Sequence, residues 1–267
     1  MATVVEHSVG SLKQYVAIVH KKQPNPETLL CFRGCGKSSY QLLPAIYRHP
    51  SRKTLDDFGQ LESSLLTRFT QRSPPFHDRV PDRRWEKLFF MQHYGVPTRL
   101  LDWSENPLIA LYFAVMGAHP NRRGKFTNDA AVWVLDPVRW NQHALKGQSF
   151  KDGALTTDDP VLAAYEELHK HKDMPNGPLA LYGAHNSQRI VAQRGVFVVF
   201  GKSPTPMEKL SVSEKYPKGA LSKIKMKAAN IQRLRNELLG YGVTESVVRP
   251  DLDGLAMEIR RQFGYGN

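Results

Sequence analysis

The chain predicts an α+β fold in a single domain spanning residues 1–267, and three observations predict it. Helical apolar spacing is concentrated in the first half. Short apolar strands are dispersed, at 28–34, 98–103, 130–136 and 195–200, and do not alternate regularly with helices. No internal repeat and no long linker divides the chain. Regular alternation would read as a doubly wound parallel sheet, which this pattern does not fit.

In chain order, Ser11 caps a helix over 11–22 with Leu12, Tyr15, Val16 and Ile18 on its apolar face, and Pro24 and Pro26 end it. Residues 1–26 thus read as a helical lead-in. Residues 28–34 form a short buried strand that runs into a loop at Gly34, Gly36 and Lys37. Residues 42–47 are a short apolar segment and 48–53 a basic turn. Leu55, Phe58, Leu61, Leu65 and Phe69 predict a helix over 54–71. Residues 72–83, with their prolines, read as a mobile loop. A helix over 83–94 stops at Gly95, and 98–103 is a strand. Pro107 suits the first turn of a helix reaching 118. A basic loop, 119–129, precedes the strand 130–136. From 139 to 186 the pattern is weak, with a helix indicated at 161–172. Residues 195–200 are the clearest strand and 201–219 are loop-like. Residues 221–226 fit either a strand or a helix start. A helix over 230–239 ends at Gly240, 244–248 reads as extended, and 252–263 is a terminal helix.

Lys and Arg total 37 against 25 Asp and Glu, a net charge of +12. That excess implies either a polyanionic partner or a solvated basic face. With 41% hydrophobic and 23% charged residues, the chain has enough apolar matter for a core, which excludes wholesale disorder. Cys31 and Cys35, the only cysteines, have neither zinc nor redox-pair spacing and suit a reducing compartment. There is no apolar signal core and no run of membrane-spanning length, so a soluble, cytoplasmic protein is expected.

The densest chemistry lies in Gln92-His93-Tyr94-Gly95-Val96-Pro97-Thr98-Arg99 and Asp102-Trp103-Ser104, a polar string between apolar blocks. Buried polar groups must be paired, so such a string points to a ligand or a dense hydrogen-bond network. Arg33 ends an apolar strand beside Gly34. Its fork suits a phosphate or ribose, with the glycine admitting the ligand to the backbone, or else a buried carboxylate such as Asp102. His93 is either an acid–base group or a structural hydrogen-bonder. Ser104 or Asn106 caps the 107 helix, or the Ser104 hydroxyl holds Arg33 or a ribose. Gln193 fits a ribose hydroxyl, a base edge or a solvent-facing strand start. Lys202, Lys209, Lys215, Lys218, Lys223, Lys225, Lys227, Arg233 and Arg235 crowd the C-terminal part, 201–267. Of these, Lys202, Lys223, Lys225, Lys227 and Arg233 are the candidate nucleic-acid contacts. Gly34-Cys35-Gly36-Lys37-Ser38 imitates only the tail of a P-loop. His169 and His171 are too close for a helical zinc pair, so no metal is expected.

Phe32-Arg33-Gly34, Tyr40-Gln41-Leu42-Leu43-Pro44, the run Gln92 to Ser104, Pro107 with Ala110 to Ala114, and Arg189-Ile190, Gln193 and Gly195-Val196-Phe197 together resemble the FRG domain family of bacteria and phages. Pro250-Asp251-Leu252-Asp253-Gly254-Leu255-Ala256 also fits that pattern. The resemblance implies a divergent ADP-ribosyltransferase-like split sheet. It implies NAD as co-substrate, with Arg33, Gly34, Tyr94, Thr98, Arg99, Asp102, Trp103 and Phe113 around it. Arg33, His93, Ser104 and Gln193 would be catalytic. Gln193 stands at or near the position where that superfamily has Glu. Being neutral, it cannot stabilise a positively charged ribose as a carboxylate would. The implied activity is ADP-ribose transfer by a toxin or antiphage effector. The +12 charge favours a nucleic-acid acceptor, RNA or DNA, over protein, and an antitoxin or phage protein is an implied partner. The alternatives are an NAD glycohydrolase and a non-catalytic nucleic-acid-binding module.

Overall fold

The computed structural model describes residues 4–25, 27–76, 81–146, 155–183 and 188–265, with backbone only at 169, 171, 173, 188 and 189. Pro26, part of the 72–83 loop, and the side chains of His169, His171 and Arg189 lie outside the described residues. One mixed sheet of eight strands organises the fold. The strands are β1 (Val5–Val9), β2 (Cys31–Cys35), β3 (Leu100–Ser104), β4 (Ala130–Leu135), β5 (Leu155–Thr156), β6 (Leu179–Tyr182), β7 (Gly195–Val199) and β8 (Leu221–Met226), in the order β1-β8-β4-β2-β3-β7-β6-β5. The two edge strands pair in parallel, β1 on β8 and β5 on β6, and the other pairings are antiparallel. Residues 221–226 are thus a strand, paired on both sides.

The sheet is nearly divided at its centre. β2 and β3 meet at a single pair, Phe32 opposite Ser104, whereas β2–β4 and β3–β7 each hold five. Two four-stranded halves therefore diverge from that point.

Alternation along the strands gives each face its own apolar layer. Phe32, Val132, Val134, Ile224 and Met226 face helices α1 (Leu12–Lys22), α4 (Pro107–Met116) and α8 (Ile231–Gly240). Cys31, Cys35, Trp133, Leu135 and Leu221 face the other layer, with Trp140, Tyr165 and Phe200. The N-terminal caps are written in the sequence. The Ser11 hydroxyl accepts from Gln14 N, and Thr54 and Asp57 form a reciprocal box at the start of α2 (Leu55–Arg72). Asn106, not Ser104, caps α4, accepting from Leu108 N and Ile109 N. α4 is apolar all round and buried, as such a helix must be. Its last carbonyls are taken by Arg235 of α8, which donates to Val115, Met116 and Ala118.

Five expectations are corrected. The lead-in is not only helical, because β1 belongs to the sheet; its polar Glu6-His7-Ser8 suits an edge strand, and its alternation is easily missed. Residues 161–172 form two 3-10 segments, not an α-helix. The weak stretch before them holds α5 (Pro137–Ala144), capped by Asp136. The loop-like 201–219 contains α7 (Met207–Ser213). Residues 244–248 are not extended: after Thr244 they make the helical turn α9 (Glu245–Val248), which packs on the terminal helix α10 (Leu252–Gln262).

Candidate functional site

Where the sheet halves part, a cleft of about 270 Å³ opens. β2 contributes Phe32, Arg33 and Gly34, and β3 contributes Asp102, Trp103 and Ser104. Helix α3 (Arg84–His93) contributes Phe89, Gln92 and His93, and α4 contributes Ala110 and Phe113. The remaining wall is Ile190 and Gln193 of α6 (Gln188–Gln193) with the start of β7.

Arg33 bridges the parted strands. Its Nη1 donates to the Asp102 backbone carbonyl at 2.5 Å, and neither Asp102 oxygen of the carboxylate takes it. The alternative of an Arg33–Asp102 ion pair is therefore not realised, and the guanidinium also hydrogen-bonds the Cys35 thiol. The Asp102 carboxylate is held elsewhere. Leu100 N donates to Thr98 Oγ1 at 3.1 Å, Thr98 Oγ1 donates to Gln92 Oε1 at 2.6 Å, and Gln92 Nε2 donates to Asp102 Oδ2 at 2.8 Å. Each group in this relay has one consistent donor–acceptor role, so the carboxylate is fixed in orientation. Among the described residues Asp102 is the only acidic one lining the cleft.

Gly34 has a steric task. A Cβ there would lie 2.0 Å from Ala110 O and 2.6 Å from Ala114 N. Its bare Cα admits α4 to β2, and so brings Ala110 and Phe113 to the cleft; ligand approach is not needed to explain it. Cys35, two residues beyond Arg33, is held as the thiol. Burial pushes its pKa up, and the charges of Arg33 and Lys223 only partly oppose that.

Ser104 does not hold Arg33. Its hydroxyl donates to Gln193 O at 2.5 Å and accepts from Asn106 N at 2.9 Å, tying the end of β3 to the α6–β7 junction. At that junction Arg194 takes a left-handed backbone, φ +45°. Gln193 lines the cleft, but its Nε2 donates to Val248 O of α9 at 3.0 Å. Trp103 is buried in the cleft wall and its indole Nε1 has no partner among the described residues.

Three expected ligand contacts stand apart from the cleft. Arg99 is 0% exposed. It bonds Glu62 through Nε at 2.8 Å and donates to the carbonyls of Tyr165, Glu166 and Phe200. Thr98 is equally buried and serves through Gln92. Tyr94 turns to the opposite side of α3, edge-on to Phe90 at 5.0 Å. Adjacency in sequence put all three beside His93, but Tyr94 is the C-cap of α3, and Thr98 and Arg99 lie in the connection from α3 to β3, where their side chains turn into the core. Phe32, Phe89, Gln92, Ile190 and Val196 are cleft residues that sequence reasoning missed. Of these, Gln92 had the clearest signal, since it belongs to the polar string.

The basic residues do not form one stripe. Lys223 packs over Trp133 at 4.7 Å and donates to Ser38 O at 2.6 Å. Lys223 and Lys225 share one face of β8, while Arg233 rides on α8 over the other. Lys227 pairs with Asp129 at 3.1 Å and Arg233 with Glu237 at 2.8 Å. Lys202 donates to Lys172 O at 2.5 Å.

The Phe-Arg-Gly segment lies inside β2, so Arg33 does not end the strand as expected but reaches across the gap from its middle. Residues 28–123 match the FRG domain family model, and the chain carries an FRG domain there. The matched stretch holds every cleft residue from β2, α3, β3 and α4, and leaves out the α6–β7 wall. No curated protein and no solved structure matches the chain. Among the described residues no helix is long and apolar enough to cross a membrane, and no cluster of His, Cys, Asp and Glu could hold a metal ion.

Proposed function

We propose that the cleft binds NAD at its nicotinamide–ribose end and that the protein is an ADP-ribosyltransferase-like enzyme, a toxin or antiphage effector. The supporting observation is that residues far apart in sequence, Arg33, His93, Asp102 to Ser104, Phe113 and Gln193, line one cavity where the sheet parts. At about 270 Å³ the cavity is slightly below the roughly 300–1,000 Å³ of sites for whole drug-sized ligands. It suits the nicotinamide and its ribose, with the diphosphate outside against Arg33. The fit is chemical too: aromatic Phe89, Trp103 and Phe113 flank a flat ring, and polar groups converge from three elements.

Bound NAD supplies an activated glycosidic bond, whose electron pair departs with nicotinamide as the acceptor bonds to the ribose carbon. Arg33 holds the diphosphate or ribose hydroxyls with the N–H groups it does not spend on Asp102 O. Asp102, held by Gln92, faces the ribose and stabilises the positive charge that develops there, the task Gln193 cannot perform. His93 takes the proton lost by the acceptor. Ser104 acts indirectly, by fixing Gln193 and the far wall. The +12 charge favours a nucleic-acid acceptor. Gln193, with its amide spent on Val248, favours the second reading, a nucleic-acid-binding module that has lost the reaction.

The test is to incubate the protein with NAD and separate pools of RNA, DNA and protein, following free nicotinamide and the mass added to each pool. Nicotinamide release with ADP-ribose added to RNA or DNA supports the transferase. Release with no labelled pool indicates the glycohydrolase. No release, with nucleic-acid binding that falls steeply with salt, establishes the binding module.

A further inference from the structure

We propose a second ligand site, for a small amphiphilic anion, in the groove between α2 and α3. The groove encloses about 480 Å³, within the range of ligand pockets and larger than the cleft. Its walls are Leu65 and Phe69 of α2, Phe76, and Phe90, Tyr94 and Val96 on the α3 side. Phe76 is 87% exposed and Tyr94 57% exposed, so two large aromatic side chains stand in water at its lips. Singly exposed apolar residues need no explanation; clustered round a concavity they mark a binding site.

The charge at this groove is one-sided. Arg68 and Arg72, one helical turn apart, both line it from α2, and the α3 wall carries no charge. Neither guanidinium has an acidic partner among the described residues, whereas nearby Arg84 and Arg99 share Glu62. Ser73, also lining the groove, has a hydroxyl without a partner among the described residues. An apolar floor with two free cations along one edge matches an apolar body bearing one carboxylate or sulfonate at its end. It does not match a nucleic-acid backbone, whose hydrated charges repeat along its length.

The position matters because α3 is a shared wall. Phe90 and Tyr94 face the groove, while Phe89, Gln92 and His93 of the same helix face the cleft. An occupant of the groove would press on the helix that aims Gln92 and His93.

The probe is 8-anilinonaphthalene-1-sulfonate, an aromatic anion whose fluorescence rises on burial, titrated into the full chain. Saturable binding is expected, displaced by decanoate but not by decanol at equal concentration. The double variant Arg68→Gln/Arg72→Gln should weaken it at least tenfold. Val96→Trp, which fills the groove, should abolish it with the melting temperature retained. Arg33→Lys, altered only in the cleft, should bind as the wild type does, so this result is independent of NAD chemistry. Unchanged binding in the double variant or in Val96→Trp, or equal displacement by decanol, overturns the proposal.

Discussion

Arg33 has a structural role in the sheet, beside the ligand-binding role proposed for it. One N–H closes the gap between β2 and β3, and the side chain also hydrogen-bonds the Cys35 thiol. Gly34 beside it is the tightest steric point of the site. Gly34→Ala would drive a methyl into the Ala110 carbonyl, and overpacking of this kind costs about 1–3 kcal/mol, or more where backbone must move. Urea unfolding should show that loss, with the cleft disturbed because α4 moves away from β2. Much of this was legible in the sequence. The Phe-Arg-Gly segment and the polar string from Gln92 to Ser104 stand out because a core has no use for so many polar groups. What was not legible is which way each residue points. Arg99 looks like a ligand contact until Glu62, 37 positions earlier, is seen to neutralise it in the core.

Among the elements, the helices with strong local signals appear close to their expected positions because their caps are local chemistry. The box at α2 makes this testable. Bonds from the Thr54 backbone and side chain hold the Asp57 carboxyl below its ordinary range. A depressed folded-state pKa gives stability that is full above the unfolded value and lost as pH falls through the folded one. Asp57→Asn should therefore lower the melting temperature at pH 7, and the difference between the two proteins should shrink as the melts are taken to progressively more acid pH. The elements that were missed have long-range causes. β1 is half polar and becomes a strand only because β8 pairs with it, from Val5 opposite Ser222 to Val9 opposite Met226. The 221–226 segment fits two templates until strands claim it from both sides. β6, only four residues long, likewise depends on β5 and β7.

At the scale of the molecule, Glu62 is the knot. From α2 it binds Arg84 at the head of α3 and Arg99 beside β3, and Arg99 extends the network to the 3-10 segment at Tyr165 and to Phe200 after β7. Removing one partner leaves an uncompensated buried charge, so Glu62→Gln should cost about 3–5 kcal/mol in urea unfolding. The same network sets α3 against the sheet, and α3 positions Gln92 and His93 in the cleft. The cleft itself was legible only in part. Its FRG portion lies within residues 28–123, but the α6–β7 wall arrives from residues 188–197 through pairing of β7 with β3.

The NAD site proposed for the parted sheet depends on the Arg33 fork. The most direct measurement is nicotinamide release from NAD by the wild type and by Arg33→Lys, with melting temperature checked for both. Lysine keeps the charge but not the fork, so release should fall at least a hundredfold in the variant while folding is retained. Equal release from both proteins, or none from the wild type across the acceptor pools, would contradict the account.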